Sequence, residues 1–188
     1  MLRTFIVLAL AAGCGSAPKP LAHHTSPAVV PPDAVALAGP ERCADDCGVT
    51  SIRTIDAAGI RRIGIVARGL DSTLAIETSS GWFFERAGEP RPEMRPHHHE
   101  PRSHGYDLAK TRVEDGAIVV RIIDAQSVFY PGQGNAGSSR TTWLDQRCMV
   151  ADGRVVCRPP AQIATKSCTT ENVGAGSKTT CTGNEPPA

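Results

Sequence analysis

Four histidines fall within eight residues of this chain, in Pro96-His97-His98-His99-Glu100-Pro101-Arg102-Ser103-His104. Imidazole is a good ligand for zinc, copper or nickel. A metal-binding protein or metal-dependent enzyme using His97, His98, His99 and His104 is therefore one reading. The spacing opposes a specific site. His99-Glu100-Pro101-Arg102-Ser103-His104 is not the His-Glu-x-x-His of zinc peptidases, and Pro101 disfavours the helix that would set two imidazoles on one face. With Pro90, Pro92, Pro96 and Pro101, the stretch 86–105 is expected to be a long, solvated, weakly metal-sticky loop, and no cofactor is implied. His23 and His24 lie in Pro-rich sequence and read as incidental.

Other strings offer less. Gly132-Gln133-Gly134-Asn135-Ala136-Gly137 matches the glycine pattern of dinucleotide sites, but those glycines need a helix after them. Here Ser138-Ser139-Arg140-Thr141-Thr142-Trp143-Leu144 follows and reads as a strand. There is no Gly-x-Ser-x-Gly elbow for a nucleophilic serine. Asp71, Glu77, Asp124 and Asp145 are scattered, so no acid/base pair emerges, and the balance leans away from an enzyme. Trp82-Phe83-Phe84 is either a carbohydrate-binding patch led by Trp82 or a strand buried on both faces, and core packing is the commoner meaning of such a run.

The composition narrows the classes further. Lys+Arg 20 against Asp+Glu 19 leaves a net charge of +1, which supplies no field for gathering phosphates, so nucleic acid is not an expected partner. Aromatics are only 4% of 188 residues, so the core must rest on Ile, Val, Leu and Ala and would gain from covalent staples.

The leader has one cation, Arg3, and then an apolar run from Phe5 to Ala12. That run is far shorter than the roughly 20 residues that span a bilayer. It has the charge, apolar stretch and small-residue end of a secretory signal. Leu10-Ala11-Ala12-Gly13-Cys14 resembles the lipobox of bacterial lipoproteins, in which a small residue precedes the cysteine that receives diacylglycerol. The resemblance implies removal of 1–13, a lipid on Cys14 that makes the membrane a partner, and export to the cell envelope. Gly15, rather than Asp, is compatible in that family with outer-membrane delivery. Ala11 occupies the position where the family prefers a large aliphatic residue, and Leu10 lies one place earlier, so cleavage after Ala9-Leu10-Ala11 is the alternative. Cysteine parity favours the lipid. Seven is odd, and acylation of Cys14 leaves an even set of Cys43, Cys47, Cys148, Cys157, Cys168 and Cys181.

From Cys14 to Arg42, prolines 18, 20, 27, 31, 32 and 40 make a linker that cannot nucleate a helix or join a central strand. Residues 43–167 are then expected to be an all-β domain, an antiparallel meander closing into a sandwich or small barrel. The apolar residues there are β-branched and come in short runs broken by Gly, Asp and Ser. Candidate strands are Val49–Ile55, Ile60–Arg68, Thr73–Thr78, Trp82–Glu85, Tyr106–Val113, Ala117–Tyr130, Arg140–Val150, Arg154–Arg158 and a weaker Gln162–Lys166. Residues 168–188 read as a Thr/Gly-rich hairpin or tail.

Two hairpins can be set in register. With Asp115-Gly116 as a two-residue turn, Val113 faces Ile118, Thr111 faces Val120 and Ala109 faces Ile122. Lys110 then lies opposite Arg121 at a small like-charge cost. Asp124 interrupts the following strand, so a bulge or break is expected near Asp124-Ala125. With Asp152-Gly153 as the second turn, Met149 faces Val156 and Cys148 faces Cys157 as a non-hydrogen-bonded pair, close enough to be bonded. Folding 168–181 about Val173–Gly176 sets Glu171 opposite Lys178 and brings Cys168 to Cys181, on weaker grounds. Cys43 and Cys47 pair with each other or with distant partners. No cysteine pair has the two-residue spacing of common zinc knuckles, so structural disulfides are expected. The function that fits is a non-catalytic envelope module for binding or scaffolding, its protein or glycan partner unspecified.

Overall fold

A computed structural model describes residues 31–68, 71–85, 102–130, 132–134 and 136–187. The leader, Cys14 and His97 to His99 lie outside the described residues. The described residues form twelve strands: β1 (Val35–Ala36), β2 (Ala38–Glu41), β3 (Thr50–Ala57), β4 (Ile60–Arg68), β5 (Asp71–Thr78), β6 (Gly81–Phe84), β7 (Arg102–Glu114), β8 (Ala117–Phe129), β9 (Gly137–Ala151), β10 (Arg154–Cys157), β11 (Ala161–Val173) and β12 (Gly176–Gly183). A 3-10 turn, Asp46–Gly48, precedes β3. The fold is all-β, as the short β-branched runs require.

The strands belong to one open, branched sheet, ordered β1-β10-β9-β8-β7-β5-β4-β3. All the pairings are antiparallel except a single parallel bridge, Asp71 with His104, that joins β5 to β7. Two strands share an edge between partners. The edge of β9 carries β11 along Gly137–Asp145 and β10 along Cys148–Ala151. The edge of β5 carries β6 along Ala75–Thr78 and β7 at Asp71. The sheet folds over so that its two groups of hairpins enclose one core. Ile60, Ile63, Leu74, Ile76 and Phe83 meet Ile118, Val120, Cys148, Val155 and Cys157 there. A Cβ on Gly59, in the β3–β4 turn, would already touch Val150 of β9 at 3.4 Å. Each fully buried aliphatic or Phe side chain in this set contributes about 1.5–3 kcal/mol.

Both D-G turns form as the sequence dictates. Asp115 and Gly116 adopt φ of 45° and 72°, and Asp152 and Gly153 adopt 49° and 71°, the left-handed pair of a tight hairpin turn. Val113 faces Ile118, and Cys148 faces Cys157. Disulfides join Cys43 to Cys47, Cys148 to Cys157 and Cys168 to Cys181. The weakly argued third hairpin is present, with Glu171 opposite Lys178.

Four expectations need correction. The domain starts before Cys43, because Val35 and Ala36 pair with β10, and Ala38 and Glu41 pair with β6. Pro40 is compatible with this because β2 pairs with β6 alone, so the amide it lacks is not missed in a ladder. The boundary at 167/168 is also not a break, since β11 runs through it with β9 at its side as far as Thr170. The β7–β8 register holds only near the turn. Going from Arg112 to Asp107 on β7 spans five residues while β8 moves two, from Val119 to Arg121, so β7 carries three extra residues. Asp107, not Lys110, faces Arg121, and the like-charge cost disappears. Finally, β8 passes Asp124-Ala125 without interruption, and the irregularity sits in its partner. The freed carbonyls explain why the bulge is tolerated: Arg53 of β3 donates to the carbonyls of Leu108 (2.5 Å) and Ala109 (3.0 Å).

Candidate functional site

The inner face of β8 changes chemistry after Ile122. Ile118, Val120 and Ile122 are core residues, and the next positions on that face are Asp124, Gln126 and Val128. Burial fades in step, from wholly buried over 117–122 to half-buried over 123–128. The sheet itself does not end there. His104, Asp124, Thr142 and Thr165 follow one another across β7, β8, β9 and β11, and Arg102, Gln126, Arg140 and Ser167 form the next such row. The strands outrun the layer that covers their inner face, and what would be more core is instead a polar platform.

Arg102, Asp124, Ala125, Gln126, Arg140, Thr142 and Leu144 line a cleft of about 240 Å³ on this platform. Arg102 donates from Nη2 to Asp124 Oδ2 at 2.9 Å. That hydrogen bond, with the Asp124 charge behind it, holds the Arg102 guanidinium protonated beyond its ordinary range. The other oxygen, Asp124 Oδ1, is buried without a hydrogen-bond partner, and so is Thr165 Oγ1 in the same row. An unsatisfied buried acceptor costs about 1–3 kcal/mol. The His104 ring does not relieve it, because Nδ1 stands 3.9 Å from Oδ1, beyond hydrogen-bonding reach. Arg140 is exposed and makes no ion pair among the described residues.

His104 is fixed by its backbone. Its N–H donates to Asp71 Oδ1 at 3.0 Å, and its carbonyl accepts from Ser72 Oγ at 3.4 Å. Its ring stands edge-on to Tyr106, at 5.4 Å between centroids, and Tyr106 in turn donates its hydroxyl to Glu85. Burial first, and the Glu85 charge second, push the Tyr106 phenol far above its usual range. Tyr106 is therefore a permanent donor that closes the inner end of the platform.

A second polar cluster lies beside Trp82. Arg62 donates to Glu77 Oε2 (2.5 Å) and to Asp46 Oδ1 (2.6 Å), and its guanidinium stacks 5.1 Å from the Trp82 ring centre. The Glu77 hydrogen bond, then that to Asp46, raises the Arg62 pKa. A shallow pocket of about 200 Å³ opens here between Glu41, Arg42, Arg62 and Ser80. Glu41, Cys43 and Cys47 bring three potential ligand atoms within 4.8 Å of one another, but the disulfide occupies both sulfurs and leaves no thiolate to bind a metal.

The residues singled out by sequence are thus distributed unevenly. His104 and Asp124 come together, with Asp71 holding the His104 backbone. Glu77 is spent on Arg62, and Asp145 on Arg112 (2.8 Å) and Arg121 (2.6 Å) on the outer face. His97, His98 and His99 fall outside the described residues, so only His104 of that set is placed. Trp82 is 3% exposed, with Val49 and Ala75 in one cluster, while Phe83 enters the main core. The aromatic run is a strand buried on both faces, and the carbohydrate-binding surface led by Trp82 is corrected accordingly: its ring lies under Arg62. The last glycine of the string, Gly137, opens β9, so the helix a dinucleotide loop needs is replaced by a strand. Arg102, Gln126, Arg140 and Thr142 went unnoticed as a group. The alternation of β8 past Ile122 would have placed Asp124 and Gln126 together, but the bulge in β7 decides which residues face them.

Fold and site define a disulfide-stapled β-domain with a guanidinium-lined polar cleft. Compared with known protein families, curated proteins and solved structures, the chain matches no family model, no curated protein and no solved structure.

Proposed function

We propose that the chain is the precursor of an exported lipoprotein of the cell envelope, held to the outer membrane through Cys14, whose β-domain is a non-catalytic binding module. The observation that carries this reading is the cysteine pairing. All six cysteines of the body are matched in three disulfides, and the odd thiol is Cys14, at the end of the short apolar leader. Disulfides in this number suit an oxidising compartment. The cleft supports binding over chemistry, since its groups are recognition groups: two guanidiniums, an amide, a hydroxyl and a carboxylate held by Arg102.

The test is fractionation of cells expressing the full chain and its Cys14→Ser variant. The parent is expected in the membrane fraction, and the variant in the soluble periplasmic fraction with its disulfides intact. Recovery of the parent in the cytosol with reduced cysteines would contradict the proposal.

A further inference from the structure

We infer that the outer face of the sheet carries a second binding site, in which Trp143, Asp107 and Lys110 hold one neutral pyranose residue of a glycan. The site goes beyond the binding-module reading above and uses neither the cleft nor Cys14. Trp143 shares the outer face with Arg121 and Asp145, since residues two apart on a strand point the same way. Its cross-strand row reads Gly105, Ile123, Trp143, Ala164, so the sheet sets no tall neighbour beside the indole on the β11 side. Trp143 is half-buried, whereas Trp82 is enclosed. A pocket of about 270 Å³ opens at Trp143, lined also by Asp107, Lys110, Arg121 and the run Glu185-Pro186-Pro187.

Three features of the pocket converge on that chemistry. The first is charge. Arg121 is met by Asp145 at 2.6 Å and Glu185 by Lys166 at 2.8 Å. Asp107 and Lys110 form no ion pair among the described residues, with each other or with any other side chain. One unspent carboxylate and one unspent ammonium cancel, which favours a ligand without net charge. The second is the set of open polar atoms. Asp107 Oδ1 accepts from the Ala109 N–H at 3.1 Å, and Oδ2 accepts nothing. The Trp143 indole N–H donates to nothing, and both free atoms reach solvent, unlike the buried Asp124 Oδ1. Oδ2 calls for a donor, whereas the indole N–H and the Lys110 ammonium call for acceptors. Hydroxyls answer both demands. A pyranose carries them around its edge and turns a C–H face to an aromatic ring, which the amphipathic indole suits. The third is size. The pocket is smaller than the roughly 300–1,000 Å³ of sites that hold a whole drug-sized molecule. Asp107 lies two strands across and two residues along from Trp143, about 12 Å between Cα atoms by sheet spacing, which their side chains narrow to the width of one ring. On the other side of Trp143 the next row is Ser103, Ala125 and Thr141, whose short side chains leave a glycan room to run on.

The test is a titration of the purified protein with the methyl glycosides of glucose, galactose, mannose and N-acetylglucosamine, followed by indole and amide chemical shifts. Inorganic phosphate and triglycine serve as the anionic and zwitterionic controls. At least one glycoside is expected to shift the Trp143 indole N–H and the amides of Asp107 and Ala164, while the Trp82 indole stays in place. That glycoside is expected to bind at least tenfold more tightly than either control. Trp143→Ala is expected to weaken it at least tenfold, read at the amides. Lys110→Gln, at an exposed position, is expected to weaken it at least threefold with the Trp82 signal unchanged, which shows that the fold is kept. No shift at Trp143 with any of the four glycosides, equal binding of triglycine or phosphate, or glycoside binding unaltered by Lys110→Gln would each overturn the inference. None of these outcomes depends on Cys14 or on where the protein resides, so failure here and failure of the export reading are separable.

Discussion

Two hairpins carry the same device in opposite surroundings. In β9–β10, Cys148 and Cys157 face each other with Cα atoms 4.0 Å apart; in β11–β12, Cys168 and Cys181 do so at 4.1 Å. The first pair is 0% and 2% exposed and sits among Ile118, Val120 and Val155. The second is at the surface, on a hairpin whose outer strand is exposed along its whole length. One bond is part of the core and is packed on by its neighbours. The other stands in for a core, because Thr169, Thr170, Thr179 and Thr180 have almost no apolar surface to bury. The domain uses covalent bonds both to lock what packing has built and to extend a sheet where packing stops, and the polar platform lies on that extension.

The comparison can be broken experimentally, beginning where the effect is largest. Replacing Cys148 and Cys157 together with Ala removes a staple and buried sulfur contacts, and is expected to cost about 4 kcal/mol in urea unfolding. A loss under about 1 kcal/mol would show that the core does not depend on the bond. Asp145→Asn is expected to cost about 2 kcal/mol, because Arg112 and buried Arg121 lose their shared acceptor. Burial alone would raise the Asp145 pKa, but hydrogen bonds from Arg121 and Arg112 outweigh it and hold it below the usual carboxylate range. A carboxylate with a lowered folded pKa adds stability that is complete above its unfolded value and is lost as pH falls through the folded one. The parent should therefore lose more stability than Asp145→Asn between neutral pH and about pH 2, as thermal melts across that range would show. Parallel acid profiles would contradict the assignment.

Smaller effects sharpen the contrast. Arg53→Ala strips two carbonyls of the β7 bulge of their donor and is expected to cost about 1–2 kcal/mol. The accompanying hydrogen-exchange signature is faster exchange confined to 105–112. Replacing Cys168 and Cys181 with Ala is expected to change global unfolding by less than about 1 kcal/mol while amides of β12 exchange many times faster. A global loss as large as that at Cys148/Cys157 would erase the distinction between the two hairpins.

What the sequence revealed, and what it hid, divides along the same line of local against long-range causes. Asp115-Gly116 and Asp152-Gly153 name their turns, and alternation outward from each fixes the first few pairs. The Cys148–Cys157 bond follows from that count alone. The β7 bulge does not, because Leu108 to Thr111 alternate well enough to continue the pairing. What displaces them is a guanidinium 55 residues away in sequence, satisfying carbonyls that no local pattern exposes. The site inherits this concealment. An unbroken register would have set Asp107 against Asp124, whereas the three extra residues bring His104 there and Arg102 against Gln126. The opening strands were hidden for another reason. Pro40 argues against a central strand, but an edge position tolerates it.

Peptide mapping of the protein recovered from cells, by mass spectrometry without prior reduction, tests the central claim most directly. The account predicts three linked peptide pairs, Cys43 with Cys47, Cys148 with Cys157 and Cys168 with Cys181, and Cys14 as an acylated N-terminus with no titratable thiol. Body cysteines found free, or joined across different hairpins, on a chain that still begins at Met1 would contradict it.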